Sequence, residues 1–186
     1  MNTFCEQCLR FVIPLGPDHV GRLDPGSRFS KLHSMKEEFF LTKAIEKAKE
    51  SVDLGGFPAG AIIVRAGKII GEGVSLGNKL HDPTNHAEVA AIRSACKELT
   101  SSDLSGSILF SSMEPCSMCL AAAMWSSVPE IVFACPKEKL KDEYYGGHYQ
   151  ILDLNETFAQ PLKLIHFGEL ENDSLKIVND WEASVK

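Results

Sequence analysis

The sequence predicts an α/β fold, a three-layer α/β/α sandwich built around a five-stranded mixed sheet. Short apolar runs of strand length alternate along the chain with longer segments whose apolar residues recur at helical spacing. Such alternation is typical of βα units, in which helices cover both faces of a sheet. The first two strands are expected to form a hairpin, and the helical connections between the others predict a largely parallel sheet.

The first half of the chain predicts one helix and a hairpin. The helix over residues 35–53 ends at Gly55-Gly56, and its apolar face comprises Phe40, Leu41, Ala44, Ile45, Ala48 and Val52. The run 61–64, Ala-Ile-Ile-Val, predicts a buried strand, and Ala66-Gly67 turns the chain into its partner over 68–74. A loop is expected over 75–83.

The second half alternates helices with three further strands. Thr84 or Asn85 is expected to cap a helix, since both residue types are favoured caps, and its inner face comprises Val89, Ile92, Cys96 and Leu99. The later elements are a strand over 107–111, a helix over 116–126 opened by Pro115, strands over 130–134 and 162–167, and a last helix with Leu175, Val178 and Trp181 on one face. Trp181 is expected to pack this helix onto the core rather than line a pocket.

The chain divides into an N-terminal arm, residues 1–34, and a compact domain, residues 35–186. The arm contains three prolines and shows no helical or strand periodicity. Cys5 and Cys8 could form half of a second zinc site, with His19 and His33 as distant partners. Their spacing matches no known motif, so two incidental cysteines are the preferred interpretation.

Net charge, apolar runs and cysteine count indicate which partners and which cellular compartment to expect. The net charge is −6 without any dense Lys/Arg cluster, which disfavours nucleic acid. No apolar run approaches the ~18 residues of a membrane span, and the N-terminus does not resemble a secretory signal. The six cysteines fit thiolates and core residues better than disulfides, so we expect a reducing, cytoplasmic setting.

Two short clusters carry the chemistry. His86 and Glu88 lie in the first, and Cys116 and Cys119 lie in the second, the segment 115–119 of sequence Pro-Cys-Ser-Met-Cys. One imidazole and two thiolates are three ligands for a Zn²⁺ ion whose fourth position stays open for water. Glu88 is close enough to exchange protons with that water without being a ligand.

The expected placement of both clusters supports a catalytic site. Each cluster falls at a predicted helix start, where the helix dipole favours thiolates, and a spacing of three places both sulfurs on one side. The alternative is a structural zinc site, which needs a fourth protein ligand. Cys96 and Cys135 lie in apolar segments and are expected in the core.

From about Met35 to Ala134 the chain resembles the cytidine deaminase-like superfamily, especially the branch of guanine deaminases, tRNA adenosine deaminases and fungal-type cytosine deaminases. The resemblance rests on residues 56–64, 82–88 and 113–119, including the pattern His-x-Glu followed by Pro-Cys-x-x-Cys. It implies one zinc per chain on His86, Cys116 and Cys119, a proton-shuttling Glu88, and a homodimer. The implied reaction is hydrolytic release of ammonia from an amino-heterocycle.

Departures from the family pattern concern the substrate. Ser75 stands where the family often has an Asn that contacts the base or sugar. Asn85 stands where Ala is common, and helix capping is preferred over a polar substrate contact. The segment 144–149 has no family counterpart, and it is interpreted either as a lid that stacks on a base or as a surface loop packed by its own rings. The residues expected to contact substrate are Phe57, Ala61, Ser75, Asn85, Tyr145 and His148.

The resulting expectation is a zinc-dependent deaminase of a nucleobase, nucleoside or related small heterocycle. The tail from Gly168 to Lys186 holds five acids against two lysines, whereas tRNA-acting members resemble one another in an Arg-rich C-terminal helix. A tRNA adenosine deaminase is therefore the second choice. A non-catalytic zinc-bound interaction domain is the alternative from another class.

Overall fold

The computed structural model describes residues 28–185 of the chain, with side chains from residue 35 onward. Helix α1 (Arg28–Asp53) begins upstream of Met35, so residues 28–34 lie within a helix. The rest of the expected N-terminal arm, with Cys5 and Cys8, lies outside the described residues.

Five strands form one mixed sheet in the order β2-β1-β3-β4-β5. The strands are β1 (Phe57–Arg65), β2 (Lys68–Ser75), β3 (Ser107–Met113), β4 (Glu130–Cys135) and β5 (Lys163–His166). Strand β1 pairs antiparallel with both β2 and β3, whereas β3, β4 and β5 pair in parallel. Four strands therefore run in one direction and β1 runs against them, which confirms the predicted mixed, largely parallel sheet.

The other helices are α2 (Gly77–Leu80), α3 (Ala87–Leu99), α4 (Ser117–Trp125), α5 (Ile151–Glu156) and α6 (Glu171–Ser184). Helix α1 packs on one face of the sheet, where Leu41 and Ala44 meet Ile62, Phe110 and Val132. Helices α3 and α4 cover the opposite face, in an apolar cluster that comprises Ala61, Ile63, Ala91, Leu109, Leu120 and Ile131. Because both sheet faces are covered, the predicted three-layer architecture is confirmed.

Helix α3 lies unusually close to strand β2. A Cβ atom added at Gly73 would lie 2.0 Å from the carbonyl oxygen of Ala87 and 2.4 Å from the amide nitrogen of Ala91. Only a glycine permits this backbone approach. The contact fixes the first turn of α3 on the sheet, and with it the residues just before and within that turn.

Two local features differ from expectation. The predicted loop 75–83 contains the short helix α2, and the N-cap position of α3 is His86, which makes no capping side-chain hydrogen bond, rather than Thr84 or Asn85. The predicted hairpin turn is present, with both Ala66 and Gly67 at positive φ, which suits the twist of paired strands. Among residues 28–185, no helix combines the length and apolar character needed to cross a membrane.

Replacing Gly73 by alanine should destabilise the fold by about 3 kcal/mol, since the new methyl group meets helix backbone that cannot rotate away. Thermal or urea unfolding measures the change. Gly168→Ala is the matched control, because its Cβ would come no closer than 3.7 Å to another atom. A Gly73→Ala protein as stable as this control would contradict the close packing.

Candidate active site

Two helix starts meet at one end of the sheet and bring the two sequence clusters together. His86 is the residue before α3 and Cys116 is the residue before α4, and both have extended backbone with no side-chain cap. Glu88 lies in the first turn of α3, and Cys119 lies in the first turn of α4. The positive ends of both helices therefore point towards the same cluster, where they favour negative charge.

Three donor atoms form a compact triangle. The Cys116 Sγ lies 3.5 Å from the Cys119 Sγ, and the His86 Nδ1 lies 3.5 Å and 3.6 Å from these two sulfurs. A tetrahedral zinc ion with ordinary bond lengths needs sulfurs about 3.8 Å apart and a nitrogen about 3.6 Å from each. The donor set thus fits zinc in both chemistry and spacing.

The pKa shifts of the three donor residues are those of groups that would be stabilised by a cation. Accepting a hydrogen bond from Cys119 lowers the pKa of Cys116 to about 4, and donating it raises the pKa of Cys119 well above the ordinary thiol range. Hydrogen bonding to Cys116 raises the pKa of His86. A divalent cation among these atoms would stabilise both thiolates, because its charge would take the place of the proton between Cys119 and Cys116.

Glu88 lies beside the donor triangle with only 5% of its surface exposed. Burial raises the pKa of its carboxyl group. The Ser111 hydroxyl donates to its Oε1 at 3.1 Å, and the Cys119 Sγ lies 3.4 Å from its Oε2. With Cys119 as a metal-bound thiolate, the Ser111 hydroxyl would still donate to the carboxylate and orient it.

A cleft of about 600 Å³ opens onto His86, Glu88 and Cys116. Its charged lining is acidic, with Glu88, Glu114 and Glu143. No lysine or arginine is among the described residues that line it, and its basic groups are the imidazoles of His81 and His86. The cleft is therefore large enough for a heterocycle and unfavourable for an anion.

Three of the six residues expected to contact substrate line this cleft, namely Phe57, Ser75 and Tyr145. Ser75 is held from behind, since its backbone N–H donates to the Ser51 hydroxyl, which in turn donates to the Ser75 carbonyl oxygen. These two hydrogen bonds fix the end of strand β2 at the cleft wall.

The other three expected contacts, Ala61, Asn85 and His148, do not line the cleft. Ala61 is fully buried in the apolar core because its side chain faces α3 and α4. The Asn85 side chain turns back to accept the Leu76 N–H at 3.4 Å, so it neither caps α3 nor reaches the cleft. The His148 side chain is 86% exposed and pairs with Asp142.

Several cleft residues were missed by sequence reasoning. They come from the region of α2 and from the connection between β4 and β5: Asn78, His81, Pro83 and Glu143. Asn78, His81 and Pro83 could have been suspected from the sequence, because they lie between strand β2 and the start of the helix that follows His86. His81 in particular ends α2 in the left-handed conformation, with φ of 53°, and this cannot be read from composition.

An aromatic cluster supports one wall of the cleft. The Tyr144 ring packs edge-on against Phe57, and Trp181 of α6 packs behind both, with ring centroids 5.3 Å from Phe57 and 6.3 Å from Tyr144. The Tyr144 hydroxyl donates to Glu182 at 2.6 Å. Trp181 therefore lies behind the wall, as expected, and links the last helix to it.

A three-layer α/β domain with a His/Cys/Cys donor set at two helix starts, and a buried glutamate beside it, is the architecture of a zinc-binding deaminase domain. Residues 34–135 match the family model described as the cytidine and deoxycytidylate deaminase zinc-binding region. Because this match covers more than half of the chain, the protein belongs to that family.

Known relatives agree with this assignment. The chain is 49% identical over 100 residues to guanine deaminase of Bacillus subtilis, a match that covers 53% of this chain and 64% of that protein. It is 36% identical over 120 residues to a tRNA-specific adenosine deaminase of Aquifex aeolicus, covering 64% and 76% of the two chains. The solved structure of Bacillus subtilis guanine deaminase superimposes with a TM-score of 0.55 at 34% identity, covering 78% of this chain and 93% of that one.

The purified protein should bind about one zinc ion per chain, because the described residues supply one His/Cys/Cys donor set. Cys116→Ser and Cys119→Ser should each lose the metal, as measured by elemental analysis of the folded protein. Cys96→Ser is the matched control and should retain zinc, since Cys96 lies away from this set. A folded wild-type protein without zinc would contradict the site.

Proposed function

We propose that this protein is a zinc-dependent hydrolytic deaminase of a small, uncharged amino-heterocycle, a nucleobase or nucleoside of the guanine, cytosine or adenine type. The observation that carries the proposal is a three-donor metal set that opens onto an acidic cleft, with the buried carboxylate of Glu88 beside it. The guanine deaminase and tRNA adenosine deaminase relatives support the same class of reaction.

The reaction replaces an exocyclic amine by a carbonyl oxygen and releases ammonia. His86, Cys116 and Cys119 would hold the zinc ion, which would lower the pKa of a bound water molecule towards neutrality. The Glu88 carboxylate takes a proton from this water and delivers it to a ring nitrogen of the substrate. The remaining hydroxide oxygen adds to the carbon that bears the amine. Glu88 then takes the proton of this new hydroxyl group and passes it to the amine, which leaves as ammonia as the C=O bond forms. Ser111 keeps the carboxylate in place during both transfers by its hydrogen bond to Oε1.

The cleft lining favours an uncharged ring with hydrogen-bond donors. Phe57 and Tyr144 present aromatic surface against which a heterocycle can stack. Asn78 adds an amide, and the Glu143 carboxylate can accept N–H groups of an amidine edge. A phosphate group would lie among Glu88, Glu114 and Glu143 with no lysine or arginine of the described lining to pair it. Free bases and nucleosides are therefore favoured over nucleotides and over tRNA.

An ammonia-release screen tests this substrate class. The panel comprises guanine, cytosine, adenine, their nucleosides, the matching 5′-phosphates and a tRNA anticodon stem-loop. We expect a free base or nucleoside to exceed its own 5′-phosphate by at least about tenfold in kcat/KM, because like charges placed together are strongly unfavourable. Faster turnover of the tRNA stem-loop than of any small compound would favour the tRNA adenosine deaminase alternative.

Glu88→Gln should retain zinc and lower turnover about 1000-fold, since the amide cannot accept the proton from water. Glu98→Gln, an exposed glutamate on the same helix, is the matched control and should remain active. A zinc-loaded protein that releases no ammonia from any compound would instead support the non-catalytic interaction domain.

The protein is further proposed to form a homodimer through helices α4 and α5. Trp125 at the end of α4 is 79% exposed, and Leu152 on the neighbouring α5 is 62% exposed. Apolar side chains this exposed on adjacent helices are suited to burial against a second copy.

Light scattering after size-exclusion chromatography should give a dimer for the wild type and a monomer for Trp125→Ser. Phe39→Ser is the matched control, because Phe39 is 56% exposed on the distant helix α1. A monomeric wild-type protein at micromolar concentration would contradict the dimer.

We also propose a reducing, cytoplasmic setting. Cys96, Cys116, Cys119 and Cys135 are all free thiols. A disulfide between Cys116 and Cys119 would remove two zinc donors. Isolation of the active protein from an oxidising compartment would contradict this assignment.

A further inference from the structure

Lys137 is a buried cation that the metal site does not use. Only 8% of its surface is exposed, and no ion pair among residues 35–185 includes it. A lysine is rarely buried unless its charge is compensated. The surroundings of its ammonium group therefore indicate what the residue does.

The Lys137 ammonium group holds the tyrosine segment, defined as residues 145–149. Its Nζ donates to the carbonyl oxygens of Gly147 and Tyr149, both at 2.8 Å. It also lies over the rings of Tyr149 and Tyr145, at 4.4 Å and 5.3 Å from their centroids. Carbonyl dipoles and ring faces thus replace the missing carboxylate partner.

The tyrosine segment in turn makes hydrogen bonds to the backbone on both sides of Cys116. The Tyr149 hydroxyl accepts the backbone N–H of Ser117 at 2.7 Å, and the Tyr145 hydroxyl donates to the Glu114 carbonyl oxygen at 3.1 Å. Helix α4 has no side-chain cap from its own N-cap residue, so Tyr149 satisfies a first-turn amide from a distant part of the chain. The two rings also pack against Cys116 and Cys119.

The backbone of Lys137 also contacts Glu114, which is bonded to the end of strand β4. Its own backbone N–H donates to the Glu114 Oε2 at 3.0 Å, and the Glu114 N–H donates to the Cys135 carbonyl oxygen at 2.8 Å. Glu114, before Cys116, is therefore hydrogen-bonded to strand β4, and Ser117, after it, is hydrogen-bonded to the tyrosine segment.

We infer that Lys137 and Tyr149 are positioning residues that hold Cys116, and with it the start of helix α4, in the geometry that retains the metal. Neither residue touches the donor atoms with a polar group, so each acts through the backbone on either side of Cys116. Release of the Ser117 amide frees the first turn of α4 and loosens Cys116.

Tyr149→Phe is the sharpest test, because it removes one hydroxyl and keeps the ring. Zinc release to a chelator should become about fivefold faster, the factor that corresponds to one neutral hydrogen bond. Hydrogen exchange of the peptide that contains the Ser117 amide should accelerate in the same variant. Tyr144→Phe is the matched control, because its hydroxyl bonds Glu182 instead, and it should leave zinc release unchanged.

Lys137→Met should accelerate zinc release by about tenfold or more, since it removes two charge-assisted hydrogen bonds. Lys137→Arg should restore part of the wild-type rate. Lys163→Met, at an exposed lysine paired with Glu130, is the matched control and should release zinc at the wild-type rate.

Wild-type zinc release and wild-type Ser117 exchange in a folded Tyr149→Phe protein would overturn the inference. Equal acceleration in Tyr144→Phe or Lys163→Met would also overturn it, because the effect would then be general destabilisation. If the wild type binds no zinc, the metal site fails and this role toward it is overturned, while the exchange of the Ser117 amide still decides whether Tyr149 holds helix α4.

Discussion

The convergence of two helix starts at one end of the sheet is the constraint on which the site depends. Strands β2 and β3 run in the same direction on either side of β1, so the chain leaves both at the same end. The helices that follow, α3 and α4, therefore begin close together. Their starts bring the His86 Nδ1 to 3.5 Å from the Cys116 Sγ. Strand β1 lies between them and runs the opposite way, so it adds no helix start at that end.

The same convergence sets the electrostatics of the cleft. Two helix N-termini place their positive dipole ends beside the sulfurs. Around them the charged lining consists of glutamates. Positive potential is thus concentrated at the metal position, while the wider cleft remains negative. This combination agrees with the uncharged amino-heterocycle that we propose as the substrate.

The cleft walls are held by parts of the chain distant in sequence. Glycine at position 73 allows the start of α3 to lie directly on β2. Trp181 of the last helix packs behind Phe57 and Tyr144. The tyrosine segment contacts the start of α4 with Lys137 beneath it. Of the two interpretations of segment 144–149, neither alone describes it: Tyr144 and Tyr145 line the cleft, whereas Tyr149 is bonded to Ser117 and His148 faces solvent.

The sequence alone determined the elements and the donor set. Periodicity located all five strands and helices α1, α3, α4 and α6, because these patterns repeat over neighbouring residues. Helix α5 falls in a segment that was expected to be an irregular connection. The motif His-x-Glu followed by Pro-Cys-x-x-Cys pointed to His86, Cys116 and Cys119 as the donor set. The substrate wall could not be derived in this way. Asn85 is a favoured cap by residue type, yet the start of α3 is set by packing on β2, and its side chain bonds Leu76 instead. Asn78, Glu143 and Tyr144 line the cleft because α2 and the connection between β4 and β5 fold over it. Such contacts between distant segments depend on tertiary packing rather than on local sequence.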